Sequence, residues 1–216
     1  MTAIKAHPLG DSGIALTFGS DRNQDLLRRI HASAAVIGSA NIVAVEDVVP
    51  SYLSIAVFYD CLERSYEELA AELVALCEKP ADAGASTAPG REHVLPARYD
   101  GIDLPEVAAA TGLAREEVIE RHSGRVYIVD IIGFVPGFAY LSELDKSLVL
   151  PRRPQPRPRI AAGSIAIAGR QTAVYPLVTP GGWHIIGSTD AVMFDPFRDE
   201  PSLLRAGDTV RFEPVK

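Results

Sequence analysis

From Arg125 onward, glycine and proline interrupt the chain so often that no long helix fits. The apolar runs between them are Val126 to Ile132, Ile165 to Ala168, Ala173 to Tyr175, Trp183 to Ile186 and Thr209 to Phe212. Short strands closed by turn residues at this density predict a barrel or sandwich. Within this half, Pro151-Arg-Arg-Pro-Gln-Pro-Arg-Pro-Arg159 holds four prolines in nine residues, which forbids helix and predicts a stiff extended loop with its arginines turned outward.

The first half obeys different periods. Ile14, Leu16 and Phe18 alternate as in a strand. Leu26, Leu27, Ile30, Ala34 and Ile37 then recur at helical spacing from Asp21 to Gly38, with Ser20 or Asp21 placed to cap the helix and Gly38 to end it. Ile42 to Val49 and Tyr52 to Tyr59 form a strand pair about Pro50-Ser51, and Ser65-Tyr-Glu-Glu68 opens a second helix through Leu69, Leu73 and Leu76. The order βαββα predicts a small α+β layer with both helices on one face of a sheet. Lys79 to Gly90 is rich in Ala, Pro, Gly and Ser and reads as a linker. The expected organisation is therefore an α+β domain over 1–80, a linker over 81–90 and a mainly β barrel domain over 91–216, a size division that suits 216 residues. Two short helices, Asp103 to Gly112 and Ala114 to His122, precede the strands. They mimic a helix-turn-helix, but Glu106, Glu116, Glu117 and Glu120 outnumber Arg115 and Arg121, which argues against DNA.

Charge is unevenly distributed. The 44 residues between Asp145 and Asp190 contain no acid and six cations, Lys146, Arg152, Arg153, Arg157, Arg159 and Arg170. With the whole chain at -7, the other 172 residues carry -13. A basic segment in an acidic protein points to an anionic ligand or partner, or to internal pairing, and the overall sign argues against general nucleic-acid affinity. Arginine's planar fork suits carboxylate or phosphate.

Common chemistries are absent. None of the four lysines follows a P-loop glycine, there is no GxSxG, HExxH or GxGxxG, and the five histidines lack metal-ligand spacing. No bound metal is expected. Cys61 and Cys77 read as free thiols. With no secretory h-region at the start and no apolar run free of proline long enough to span a bilayer, a cytoplasmic protein without membrane contact is expected. Candidate site residues lie elsewhere. Phe134, Phe138 and Tyr140 occupy a glycine-framed loop, where they either face a ligand or plug the barrel mouth. Arg157 and Arg159 are suited to clamp a phosphate or carboxylate, and Gln171 to orient an amide. Gly181 and Gly182, before Trp183, are placed to offer backbone N–H groups to an anion. His122 is a candidate acid or base, or a charge at its helix end.

Taken in order, GFVPGFAYL, PRRPQPRPRIAAGSIAIAGRQTAVYP, TPGGWHIIGST and FDPFRDEPSLLRAGDTVRF resemble the KipI family, also called allophanate hydrolase subunit 1 or the B component of 5-oxoprolinase (PxpB). The resemblance implies a ferredoxin-like N-terminal domain followed by a cyclophilin-like β-barrel, and a KipA-type partner, the C component, with which the chain builds a composite site. It further implies a three-component, ATP-dependent 5-oxoprolinase, an amidohydrolase inactive as this chain alone, with ATP as co-substrate and a LamB/YcsF-type protein as the A component. Two other family roles are inhibition of a sensor histidine kinase and a carboxyltransferase-like part in urea or allophanate chemistry. No Met-Lys-Met is present, so biotin is not expected on this chain. Arg159-Ile-Ala-Ala-Gly-Ser164 and Gln171-Thr-Ala-Val-Tyr175 depart from the family's usual Arg-Val-Pro-Ala-Gly-Ser and Gln-Thr-Gly-Ile-Tyr by small apolar changes.

Overall fold

The computed structural model describes residues 3–78 and 90–215, in two compact units, Met1–Pro89 and Gly90–Lys216. The expected linker, apart from Gly90, lies outside the described residues.

In the first unit the alternating run becomes β2 (Gly13–Thr17), after a strand that the sequence reading missed, β1 (Lys5–Pro8). Helix α1 (Gln24–Ser39) follows, then β3 (Val45–Pro50), β4 (Ser54–Tyr59) and α2 (Tyr66–Glu78). The α1 cap is neither Ser20 nor Asp21 but Asn23, whose side chain accepts from the Leu26 N–H at 2.9 Å; an Asx oxygen three residues before a free helical N–H satisfies it directly. The four strands are antiparallel in the order β1-β2-β4-β3. Ile14, Leu16, Ile55 and Val57 share one face and pack with Ile30 and Ile37 of α1 and Leu69 and Leu73 of α2. Both helices therefore cover the same face, which is where period-two strands put their apolar side.

The second unit opens with β5 (Glu92–Ala97), α3 (Leu104–Thr111) and α4 (Arg115–Ser123). Strands β6 (Val126–Ile132), β7 (Ala139–Ser142), β8 (Arg157–Ile160), β9 (Ser164–Ala168), β10 (Gln171–Val174), β11 (Thr179–Gly181), β12 (His184–Ser188) and β13 (Thr209–Pro214) complete it. Seven of the nine strands form one sheet, β12-β9-β10-β7-β6-β13-β5, and β11-β8 make a separate ribbon. The sheet curls until its outer strands meet. Just beyond β5, Arg98 exchanges backbone hydrogen bonds of 2.9 and 2.7 Å with Ser188 at the end of β12. The seam needs close backbone approach, and glycine supplies it. A Cβ at Gly101 would strike the backbone of Ile186 and Gly187, and one at Gly187 would strike Arg98.

Strand alternation then sorts the wall. Ile165, Ile167, Val174, Leu141 and Val129 face the interior, where Leu104, Val107 and Val118 of the two helices join them. Ala166, Ala168 and Ala173 face outward and form a shallow floor under Phe138, Ile160, Tyr175 and Trp183. Small outward residues are what let an aromatic layer lie against the barrel's exterior.

Candidate functional site

The interior holds one of the expected site residues. His122, on α4, has no exposed surface. The Thr172 hydroxyl donates to the Ala166 carbonyl at 3.0 Å, so it accepts the His122 Nε2–H at 2.9 Å, and Nδ1 accepts from the Tyr99 hydroxyl at 2.8 Å. Burial drives its pKa down to about 3. A neutral imidazole sealed from water with both nitrogens engaged is a core pillar. This corrects the acid or base role and the helix-end charge read from the sequence.

Two of the four arginines in the proline-rich segment, Arg153 and Arg157, turn inward to the internal pairing that the sequence left open, while Arg152 and Arg159 stay exposed. Asp103 takes both terminal nitrogens of Arg157 at 2.8 and 2.6 Å, Arg153 at 3.1 Å and the Ile185 N–H at 2.8 Å. Glu106 holds Arg153 at 2.6 Å. Burial raises the Asp103 carboxyl, but the Arg157 fork, the Ile185 N–H and the two guanidinium charges outweigh it and hold the carboxyl below its ordinary range. Arg157 is thus a structural cation, not a free clamp, because a carboxylate 2% exposed demands a matched partner. Sequence reading placed Asp103 at a helix start, which is correct, yet its side chain makes no cap hydrogen bond because the arginines claim it. Arg159 is exposed, and no ion pair to it exists among the described residues.

Gly181 lies in β11 and Gly182 follows it; neither has the positive φ of an anion-cradling nest. Gly181 has another reason to be glycine: a Cβ there would collide with the Tyr175 hydroxyl and Ile160. Gly181→Ala is expected to cost about 1–3 kcal/mol through overpacking, read as a lower urea midpoint at unchanged m-value, while Gly182→Ala, whose Cβ meets only ordinary contacts from 3.6 Å, stays near wild type.

The remaining candidates converge on the outer wall. Phe138 is the hub, with ring centroids 4.9 Å from Tyr140, 5.3 Å from Tyr175, 5.7 Å from Trp183 and 5.4 Å from Phe134, all edge to face. Phe138 and Trp183 are buried, whereas Phe134 is 60% exposed and has a φ of 70°. The loop therefore neither plugs the barrel mouth nor stands free: it lays an aromatic layer on the exterior and leaves one ring in solvent. Thr172 faces Leu141 in register, which sets Gln171 beside Ser142 and Ala173 beside Tyr140. Behind Gln171 lies Asp130, fully buried where β6 shifts register, with the Ser142 hydroxyl donating to it at 2.6 Å and the Gln171 amide nitrogen at 3.3 Å. Asp130 orients the Gln171 side chain and is the residue that sequence reading missed most plainly. Its signal was there, an acid inside the β-branched run Val126 to Ile132. His184 also finds a place. Its Nε2 donates to the Pro151 carbonyl at 2.9 Å and pins the start of the arginine segment.

Among the described residues no cluster of His, Cys, Asp and Glu is arranged to hold a metal, and no helix is long and apolar enough to cross a membrane.

A small α+β unit followed by a curled barrel sheet, with an aromatic and amide-bearing exterior face, places the chain among carboxyltransferase-type β-barrel proteins. Residues 4–204 match the family model for the carboxyltransferase domain, subdomain C and D, and the chain belongs to that family. The B component of the 5-oxoprolinase of Bacillus subtilis (strain 168) is 39% identical over 94% of this chain and 90% of its own length. A crystal structure of TTHA0988 superposes with a TM-score of 0.84 at 40% identity over 94% of this chain, which spans 40% of that longer one. Urea carboxylase from Kluyveromyces lactis shares the fold, with a TM-score of 0.75 at 17% identity, over 99% of this chain and 22% of its own.

Proposed function

We propose that this chain is the B component of an ATP-dependent 5-oxoprolinase, inactive alone, and that it builds its site together with a KipA-type and a LamB/YcsF-type partner in the cytoplasm. The carrying observation is the near full-length likeness to the B component of a 5-oxoprolinase. The exterior face supports it: an apolar aromatic floor beside an amide held by a buried carboxylate suits a small cyclic amide. In the reaction the ATP γ-phosphoryl group passes to the lactam oxygen and ADP departs. Water adds to the activated carbon, the ring C–N bond breaks as nitrogen takes a proton, and a second water releases phosphate from the acyl phosphate to leave glutamate. The exposed Phe134 and Arg159 are placed to meet a partner rather than the barrel.

The test is 5-oxoproline-dependent ADP release by this chain mixed with the purified KipA-type and LamB/YcsF-type partners, each protein omitted in turn. Release that requires all three is the expected result. A stable assembly without release, or full release without this chain, overturns the proposal.

A further inference from the structure

The four-stranded sheet of the first unit has two faces, and both helices lie on the same one. Strand alternation fixes what the other face carries. With Ile14, Leu16, Ile55, Val57 and Val48 turned to the helices, Ala15, Thr17, Ser54, Ala56, Phe58 and Val49 point the opposite way. On β1, Ile4 and Ala6 pack in the core, so Lys5 and His7 join the second face. Leu9 joins it too, since a Cβ on Gly13 would meet the Leu9 side chain. Three large apolar side chains of this face are exposed, Leu9 at 46%, Val49 at 38% and Phe58 at 37%, around a flat centre where Ala15 and Ala56 lie directly opposite each other. Single exposed apolar residues are ordinary, but three around an alanine floor make a patch of the kind that binds.

The charges on this face choose the occupant. Lys5 and Asp47 are both exposed, and neither has an ion pair among the described residues. Asp47 spends only one carboxylate oxygen, on the Val48 N–H at 2.8 Å. Register sets the two at opposite corners. Lys5 lies across from Thr17, whereas Asp47 lies across from Phe58, which pairs with Gly13, so their rows are four residues apart along β2. Four residues of strand span about 13 Å and three strand spacings about 14 Å, so the face is close to square. A two-fold axis along its other diagonal lays a second copy of the face on the first with strands crossing near a right angle, one of the two preferred ways for sheets to pack. That operation brings Lys5 of each copy to Asp47 of the other, sets Leu9 near the axis and closes the alanine centre. We propose that this sheet face is a self-association surface whose occupant is a second copy of this chain. A basic corner answered by an acidic corner on the same face is self-complementary, which is what an isologous interface requires. The face is small, so the dimer is reversible and depends on concentration.

The test is sedimentation velocity on the full chain over about a hundredfold range of concentration. Wild type is expected to pass from monomer to dimer as concentration rises. Ala56→Arg sets a charge in the centre of the face and is expected to raise the dimer dissociation constant at least about tenfold. Lys5→Glu and Asp47→Lys change exposed side chains and leave the core untouched; each is expected to weaken the dimer, and the double variant to restore it. Leu62→Arg, at an exposed turn outside the sheet, is expected to change nothing. A monomer at every concentration overturns the proposal, as does a dimer that Ala56→Arg leaves intact, or a loss in the single variants that the double does not reverse. A monomeric chain whose binding to the KipA-type partner is abolished by Ala56→Arg would assign the face to that partner and equally overturn the second copy.

Discussion

Between pH 6.5 and pH 4 the wild-type chain is expected to lose stability along a slope of about 1.4 kcal/mol per pH unit that a His122→Gln variant does not show. The sign follows from burial. In the folded chain His122 stays neutral down to about pH 3, because burial drives its pKa there, whereas in the unfolded chain it protonates near pH 6.5. Below that value the unfolded state binds a proton that the folded state refuses, so stability is full above pH 6.5 and drains as pH falls toward 3. By pH 4 the difference reaches about 3 kcal/mol, a large part of a domain's margin. Glutamine is the informative replacement because it can accept from Tyr99 and donate to Thr172, as the imidazole does, but does not titrate. The measurement is urea unfolding at half-unit pH steps, comparing slopes rather than absolute values. Parallel slopes in the two proteins would mean that water reaches His122 and that the sealed pillar described above is wrong.

That result would also mark where sequence legibility ends. Strand and helix periods are local, so Ile14 to Phe18, the two N-terminal helices and Val126 to Ile132 could be read from spacing. Strands β1, β8 and β11 could not: Lys5–Pro8 lacks an apolar alternation, and Arg157–Ile160 and Thr179–Gly181 hold Pro158 and Pro180 on a ribbon outside the main sheet, where a missing N–H is tolerated. The site divided along the same line. Phe138, Tyr140, Gln171 and Trp183 were nameable by type, and the fold brings them to one wall. Arg157 and His122 were nameable too, but which face a side chain takes depends on residues distant in sequence, Asp103 for one and Thr172 for the other. A charge run shows no sign of its internal partner until the chain is folded.

Asp103→Ala is expected to destabilise the second unit by about 3–5 kcal/mol, the usual cost of stripping a buried ion pair of one member. Three donors lose their acceptor at once: the Arg157 fork, Arg153 and the Ile185 N–H. Arg157 cannot recover by turning to water, since its side chain is 25% exposed and sits on the β8 and β11 ribbon. Arg153 keeps Glu106, a carboxylate 55% exposed, whose own removal is expected to cost about 0–1 kcal/mol. The contrast between Asp103→Ala and Glu106→Ala in thermal or urea unfolding therefore separates buried pairing from surface pairing within one cluster. The acid limb gives a second readout. Because the folded Asp103 carboxyl titrates below its ordinary range, its contribution is complete above about pH 4 and is lost as pH falls through the folded value. Asp103→Asn should flatten that limb below pH 4 and leave the His122 window above it untouched. Arg157→Met combined with Asp103→Leu is expected to cost less than Asp103→Ala alone, because no charge is then left buried without its partner. Equal losses for Asp103→Ala and Glu106→Ala would show that the segment is held by its prolines and the His184 contact, and that Asp103 is not what turns the arginines inward.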